Sequence, residues 1–245
     1  MQYGFSTGAL AKGDFRLALR MLENHALDGV ELSALRMAEL PDLIEAFTTL
    51  PLKAYEGRVS IHAPSKFTPQ QEPELAERLA EVADAVMGIV LHAEAIHDAS
   101  HWRQLGEKVL VENADGRKRT GRTTVELAAV LDGLPDARVC LDLAHVYQVD
   151  PTMLEMRRML KAFAGRVGQV HLSQLDHACA HRPLMLGIVH ELRQVARLVP
   201  DTMVILESCV DELSIASQVR LAKLCFQPLD ASGTTTWSYP LPAGL

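Results

Sequence analysis

Eight short apolar runs recur along the chain, and no other feature narrows its fold as far. They are Tyr3–Ser6, Gly29–Ser33, Arg58–His62, Met87–His92, Lys108–Glu112, Arg138–Asp142, Arg166–His171 and Thr202–Glu207. Their Val, Ile and Leu residues run nearly continuously instead of alternating with polar ones, as in parallel strands covered on both faces. Between them lie segments of helical period, namely Phe15–His25, Pro73–Val86, Thr124–Leu134, Pro151–Phe163, Ile188–Val199 and Glu212–Leu224. Pro at helix starts and Gly or Pro near their ends supply the boundaries. Eight strand–helix units, one every 30 residues or so, make up the roughly 250 residues usual for a (β/α)8 TIM barrel, and this chain has 245. The expectation is an α/β protein with a single (β/α)8 TIM barrel over residues 1–226. A C-terminal tail, 227–245, rich in Pro, Gly, Ser and Thr, would pack on the barrel or extend from it. A doubly wound open sheet needs fewer strands and usually a glycine-rich phosphate turn after the first. Thr7-Gly8-Ala9-Leu10 does not supply that turn.

A composition of 48% hydrophobic and 22% charged residues can bury a sizeable core and is not that of a disordered chain. The net charge of -7 argues against wholesale non-specific nucleic-acid binding, while leaving room for a local basic patch. The four cysteines, Cys140, Cys179, Cys209 and Cys225, form no CxxC pair and predict neither a disulfide framework nor a cysteine zinc finger. The N-terminus lacks the pattern of a secretory leader, and no apolar run reaches the roughly 18 residues of a membrane span. A cytoplasmic location with no membrane partner is expected by default.

Many of the runs end on a side chain able to bind metal: His62, His92, Glu112, Asp142, His171 and Glu207. In a barrel these ends converge on the face where active sites sit. Imidazoles and carboxylates crowded there cost several kcal/mol per buried charge unless a cation compensates. One His or Glu at a strand end is more often a hydrogen-bonded loop residue than a ligand; the repetition across six strands reverses that preference. The mixture of nitrogen and oxygen donors suits divalent metal, zinc foremost, with Mn or Fe(II) also compatible. In Asp142-Leu143-Ala144-His145 the spacing lets Asp142 serve one ion and His145 reach a neighbouring one. His181, after the seventh strand, is placed to join it. The other histidines, His25, His97, His101, His177 and His190, fall outside the pattern and read as surface or capping residues.

The series Ser60-Ile61-His62-Ala63-Pro64, Val90-Leu91-His92, Val111-Glu112-Asn113, Leu141-Asp142-Leu143-Ala144-His145, Val170-His171-Leu172-Ser173 and Leu206-Glu207-Ser208 resembles the xylose isomerase-like barrel superfamily from about residue 29 to 210. That superfamily holds the endonuclease IV group and many sugar isomerases and epimerases. Its isomerase pattern implies one metal on Glu112, Asp142, His171 and Glu207. Glu112 and Glu207 would be the acid–base pair, and His145 would orient substrate. The endonuclease IV pattern keeps those four and adds histidines matched here by His62, His92, His145 and His181. It implies one ion on His62, His92 and Glu112, and a second on Glu112, Asp142, His171 and Glu207. A weaker third would use His145 and His181. Where that pattern has an Asp two residues before the last histidine, this chain has Cys179, a thiol that can also bind zinc.

The loop Asp115-Gly116-Arg117-Lys118-Arg119-Thr120-Gly121-Arg122 follows the fifth strand. Its cations Arg117, Lys118, Arg119 and Arg122 either bind substrate phosphates above the metals or form a solvated charge run. The primary expectation is therefore a metal-dependent phosphoester hydrolase resembling endonuclease IV, with abasic-site DNA among the substrates to test. The alternative is a mononuclear sugar isomerase or epimerase, and a metal-binding scaffold without turnover is a third class. No G-x-S-x-G, Walker A or G-x-G-x-x-G motif offers another chemistry.

Overall fold

The computed structural model describes residues 1–227, so all but the first residue of the expected tail lies outside the described residues. The strands in chain order are β1 (Gln2–Ser6), β2 (Gly29–Ser33), β3 (Val59–His62), β4 (Gly88–His92), β5 (Val109–Glu112), β6 (Arg138–Asp142), β7 (Val167–Leu172), β8 (Gln174–Leu175), β9 (His181–Arg182) and β10 (Met203–Leu206). Eight of them pair in parallel and close in the order β1-β10-β7-β6-β5-β4-β3-β2, while β8 and β9 form a small antiparallel hairpin after β7. The eight apolar runs are thus the eight barrel strands, with ends differing by a residue or two, as frayed termini do.

The helices are α1 (Thr7–Ala11), α2 (Phe15–Leu22), α3 (Leu40–Ala46), α4 (Glu72–Ala80), α5 (Thr124–Asp132), α6 (Leu143–Val149), α7 (Leu154–Ala162), α8 (Leu186–Ala196) and α9 (Ile215–Phe226). Three of these, α1, α3 and α6, have no counterpart among the expected helices. At five to seven residues each, they are too short to display a helical period.

Two apolar clusters hold the fold. The large one joins the outward faces of the strands to the helices, through Leu19 and Leu22 of α2, Leu75 and Leu79 of α4, and Leu127 and Leu131 of α5. The small one consists of Val90, Leu110 and Cys140, all fully buried. Each of these three stands two residues before a strand-end His92, Glu112 or Asp142. Period-two alternation therefore puts an apolar layer inside the barrel, directly beneath the polar ends. Leu110 occupies space left by glycines: a Cβ on Gly88 or Gly168 would lie 2.5 or 2.7 Å from its methyl groups.

The β4–β5 connection carries no α-helix among the described residues. Three 3-10 turns, Ala93–Ala95, Ala99–His101 and Arg103–Lys108, take its place. A buried carboxylate organises them. Glu72, at the start of α4, accepts hydrogen bonds from the backbone N–H of His97 (2.9 Å) and Asp98 (2.9 Å) and from Nε1 of fully buried Trp102 (2.7 Å). No described helix is long and apolar enough to cross a membrane.

With both Glu72 oxygens accepting from N–H donors, an amide at this position must turn an NH2 towards at least one of them. Glu72→Gln is expected to destabilise the protein by about 2 kcal/mol in denaturant unfolding. A change below the error of that measurement would mean the connection does not depend on Glu72.

Candidate metal centre

Strand register, more than any single contact, assembles the site. His92 of β4 pairs with Glu112 of β5, Asp142 of β6 with His171 of β7, and Ser33 of β2 with His62 of β3. Glu207 follows β10 directly, its N–H donating to the Leu172 carbonyl at 3.0 Å. All six strand-end residues expected as ligands meet at the C-terminal mouth, and His145 and His181 join them. Their donor atoms fall into four overlapping groups, each within 4.8 Å: His62, His92 and Glu112; Glu112, Asp142, His171 and Glu207; His62, His171 and Glu207; and Asp142, His145 and His181.

Glu112 lies where the first two groups meet. Its Oε2 is 3.3 Å from His62 Nε2 and 3.4 Å from His92 Nε2. Its Oε1 is 3.1 Å from His171 Nδ1 and 3.5 Å from His145 Nδ1. The rings form a continuous series: His171 stacks on His62 at 5.8 Å, His62 is 5.0 Å from His92, His92 is 6.5 Å from His145, and His145 is 5.7 Å from His181.

Every imidazole in this series has a polar atom facing one nitrogen, which fixes the ring and leaves the other nitrogen for a cation. His62 Nδ1–H donates to the Ala63 carbonyl at 3.0 Å, and His145 Nδ1–H to the Asn113 carbonyl at 2.8 Å. His171 Nε2 is 3.0 Å from Glu31 Oε2, and His181 Nδ1 is 2.7 Å from Ser173 Oγ. His92 Nδ1 faces Glu94 Oε1 at 3.6 Å, a longer ionic contact.

The spacing of Asp142 and His145 is that of a helix start. Asp142 is the N-cap of α6, its Oδ1 accepting from the His145 N–H at 2.8 Å, so both side chains emerge within one turn. Asn113 locks the adjoining strand ends: its Oδ1 accepts from Asp142 N–H at 2.8 Å and its Nδ2 donates to the Asp142 carbonyl at 3.0 Å.

Burial alone would lower the His62 pKa, but the hydrogen bond to Glu112 and the charges of Glu31, Glu112 and Glu207 push it up to about 9. Burial also opposes ionisation of Glu112, yet the charges of His92 and His171 and the hydrogen bonds from His171 and His62 hold it well below the usual range. Asp142 goes the other way. Burial raises its pKa, and Glu112 and Glu207 raise it further against the pull of His145. Asp142 Oδ2 and Glu207 Oε2 are buried with no hydrogen-bond partner. Three crowded carboxylates of which Asp142 alone is pushed towards its protonated form, orphan oxygens and five oriented imidazoles fit divalent cations of mixed N/O preference such as Zn, Mn or Fe(II). The approach from solvent lies over His181 and His92, whose side chains are 28% and 18% exposed, whereas Asp142 and His171 are at 0%.

Cys179 belongs to none of the ligand groups. It sits at φ 56 in the turn between β8 and β9, with Sγ against the Gln148 amide, and Asp142 stands with His145 and His181 in its place. The basic loop is largely self-engaged. Arg117 grips Asp115 (2.8 Å) and donates to the Ala178 carbonyl at 3.0 Å, tying the loop to the β8–β9 hairpin. Lys118 pairs with Glu94, and Arg122 with Glu126 of α5 at 2.7 Å. Arg119 is exposed. Sequence reasoning gave no role to Glu31, Glu94 or Asn113. Only Asn113 carried a signal, its place directly after Glu112.

Replacing both His62 and His92 by Ala removes the donors on one side of Glu112 and spares the Glu112, Asp142, His171 and Glu207 set. Elemental analysis of the metal-loaded protein should then find at least one fewer ion per chain. An unchanged stoichiometry would leave the two histidines with a structural role.

The fold has solved counterparts of low sequence similarity. A D-tagatose 3-epimerase-like protein superposes with a TM-score of 0.64 at 14% identity, over 91% of this chain and 97% of the other. D-psicose 3-epimerase with D-tagatose from Clostridium cellulolyticum H10 gives 0.57 at 12% identity, covering 92% and 96%. The 3-keto-D-glucoside 4-epimerase YcjR from E. coli, in its apo form, gives 0.55 at 17% identity, covering 91% and 98%. No curated protein matches the sequence. The model of the xylose isomerase-like TIM barrel family matches residues 37–223, most of the barrel and every strand-end ligand from β3 to β10. The chain belongs to the xylose isomerase-like TIM barrel family.

Proposed function

We propose that the protein is a multinuclear metal-dependent hydrolase of phosphoesters. The observation that carries this reading is the position of Glu112, with one oxygen facing His62 and His92 and the other facing His171 and His145. A carboxylate flanked in this way bridges two ligand sets, and a mononuclear isomerase has no use for the set containing His62 and His92. Divalent ions held by these ligand sets would supply an activated water and charge stabilisation at the attacking and leaving oxygens. The chain's own residues do the rest. Glu112 and Asp142 hold the ligand sets in one frame, and Glu207, its buried Oε2 3.6 Å from His181 Nδ1, completes the set on the side of His181. A cavity of about 560 Å3 lies beside α6, bounded by Tyr147, Gln174 and His177 and by none of the candidate ligands.

A second reading has its own support. The similar structures are named as epimerases of ketoses and of a keto-glucoside, and Glu112, Asp142, His171 and Glu207 match the four ligands of the isomerase pattern. The comparisons favour this sugar isomerase/epimerase reading, and the number of ligand sets favours the hydrolase. One experiment separates them. Zinc-loaded protein is offered an aryl phosphodiester, abasic-site DNA and a panel of ketoses. Hydrolysis that falls about 100-fold in the His62→Ala/His92→Ala variant supports the hydrolase. Ketose epimerisation that survives this variant, with no phosphoester cleaved, replaces it with the isomerase.

The basic loop gives a further expectation under the hydrolase reading. Arg119→Ala should raise KM about fivefold, the scale of one exposed ion pair, and flatten its salt dependence. Lys118→Ala should act through Glu94 and His92, lowering metal affinity instead. Equal effects of the two substitutions on KM alone would refute this division of roles.

A further inference from the structure

Beneath the ligand layer lies a carboxylate that the reading so far leaves without a task. Glu31 sits inside β2, two residues before its end, and is 0% exposed. Its Oε2 meets His171 Nε2 at 3.0 Å, Gln169 Nε2 at 2.6 Å and Ser60 Oγ at 3.3 Å, with Gln169 Nε2 also 2.9 Å from His171 Nε2, while Oε1 is buried with no hydrogen-bond partner. His171 is itself fully buried and turns Nδ1 towards Glu112 Oε1 at 3.1 Å and Glu207 Oε2 at 3.5 Å.

A neutral imidazole carries its proton on one nitrogen and offers a lone pair on the other. Where a cation takes Nδ1 from the carboxylates beside it, the carboxylate against Nε2 holds the hydrogen there, because the alternative sets a lone pair against a negative oxygen. It also fixes the rotation of the ring and makes Nδ1 a stronger donor. We propose that Glu31 is a positioning residue for His171, holding the proton on Nε2 and keeping Nδ1 aimed at the ion shared by Glu112, Asp142 and Glu207.

Gln169 of β7 and Ser60 of β3 clamp Glu31 from two other strands, so the device reaches across the barrel interior. The remaining imidazoles are oriented by carbonyls, a hydroxyl or the longer Glu94 contact. Among the described residues, His171 is the imidazole of the series within hydrogen-bond distance of a buried carboxylate that belongs to none of the ligand groups. Its ion should therefore be the one that responds to Glu31. The inference rests on the metal-binding reading and on neither proposed reaction.

The test uses the zinc-loaded full chain, with zinc affinity read by chelator competition and the histidine N–H signals by 15N NMR. Glu31→Gln keeps an acceptor without the charge, and Glu31→Met removes the acceptor. The zinc at His171 should weaken about tenfold in the first and about 100-fold in the second, while any second zinc stays within twofold. The slowly exchanging His171 Nε2–H signal should vanish in Glu31→Met. If Glu31→Met does not fold, Gln169→Met loosens the clamp without removing Glu31 and should weaken the same zinc severalfold. Unchanged affinity in folded Glu31→Gln and Gln169→Met, or an equal loss of both ions, overturns the proposal. A parent protein that binds no zinc overturns it together with the metal-binding reading, and failure of the hydrolase assay leaves it intact.

Discussion

Glu112 shares its two oxygens among four imidazoles in a place that water barely reaches. Alone, a carboxylate so buried would cost several kcal/mol, and so would each imidazolium facing it. Together they offset one another, but the balance is incomplete because Asp142 and Glu207 add negative charge to the same volume. The opposite displacements of the Glu112 and Asp142 pKa values express that conflict: one carboxylate captures the imidazole charge and the other is left against it. Cations resolve it more completely than protons can, since one divalent ion serves several oxygens at once.

The fold makes this concentration of charge tolerable by building it on the most rigid part of the molecule. Parallel register fixes which side chains stand beside each other, and the apolar layer of Val90, Leu110 and Cys140 closes the barrel beneath them. Asn113 joins two strand ends through paired backbone contacts, and the α6 cap sets Asp142 and His145 in one turn. Few of these side chains can move without breaking a hydrogen bond to the frame. Preorganisation of this kind suits a centre that must hold several ions at fixed separation.

The barrel and its ligand ring were legible because both arise from a repeat. Eight strands covered on both faces leave eight apolar runs, and parallel register turns a shared position at their ends into shared space. What the sequence concealed was local and unrepeated. Glu31 lies mid-strand in Gly29–Ser33, where its partners Gln169 and His171 are far along the chain and only closure of the barrel brings them near. The basic run from Arg117 to Arg122 looked like one patch, yet Asp115, Glu94 and Glu126 engage three of its four cations. Cys179 had the right spacing for a ligand, but a left-handed turn directs it to Gln148. The absence of a helix between β4 and β5 follows from Glu72, whose contacts again cross from one βα unit to the next.

The double duty of Asp142 links the electrostatics of the cluster to the mechanics of a helix. One oxygen receives the His145 amide and starts α6, while the other, without a hydrogen bond and 3.5 Å from His145 Nδ1, faces the site. Any change in the charge held at the mouth therefore alters the strength of a backbone hydrogen bond. The His145 amide becomes a natural gauge of occupancy, its exchange with solvent slowing as the carboxylate is drawn fully into its ionised form. Filling the centre thus tightens the first turn of a helix whose far side, at Tyr147, forms a wall of the neighbouring cavity.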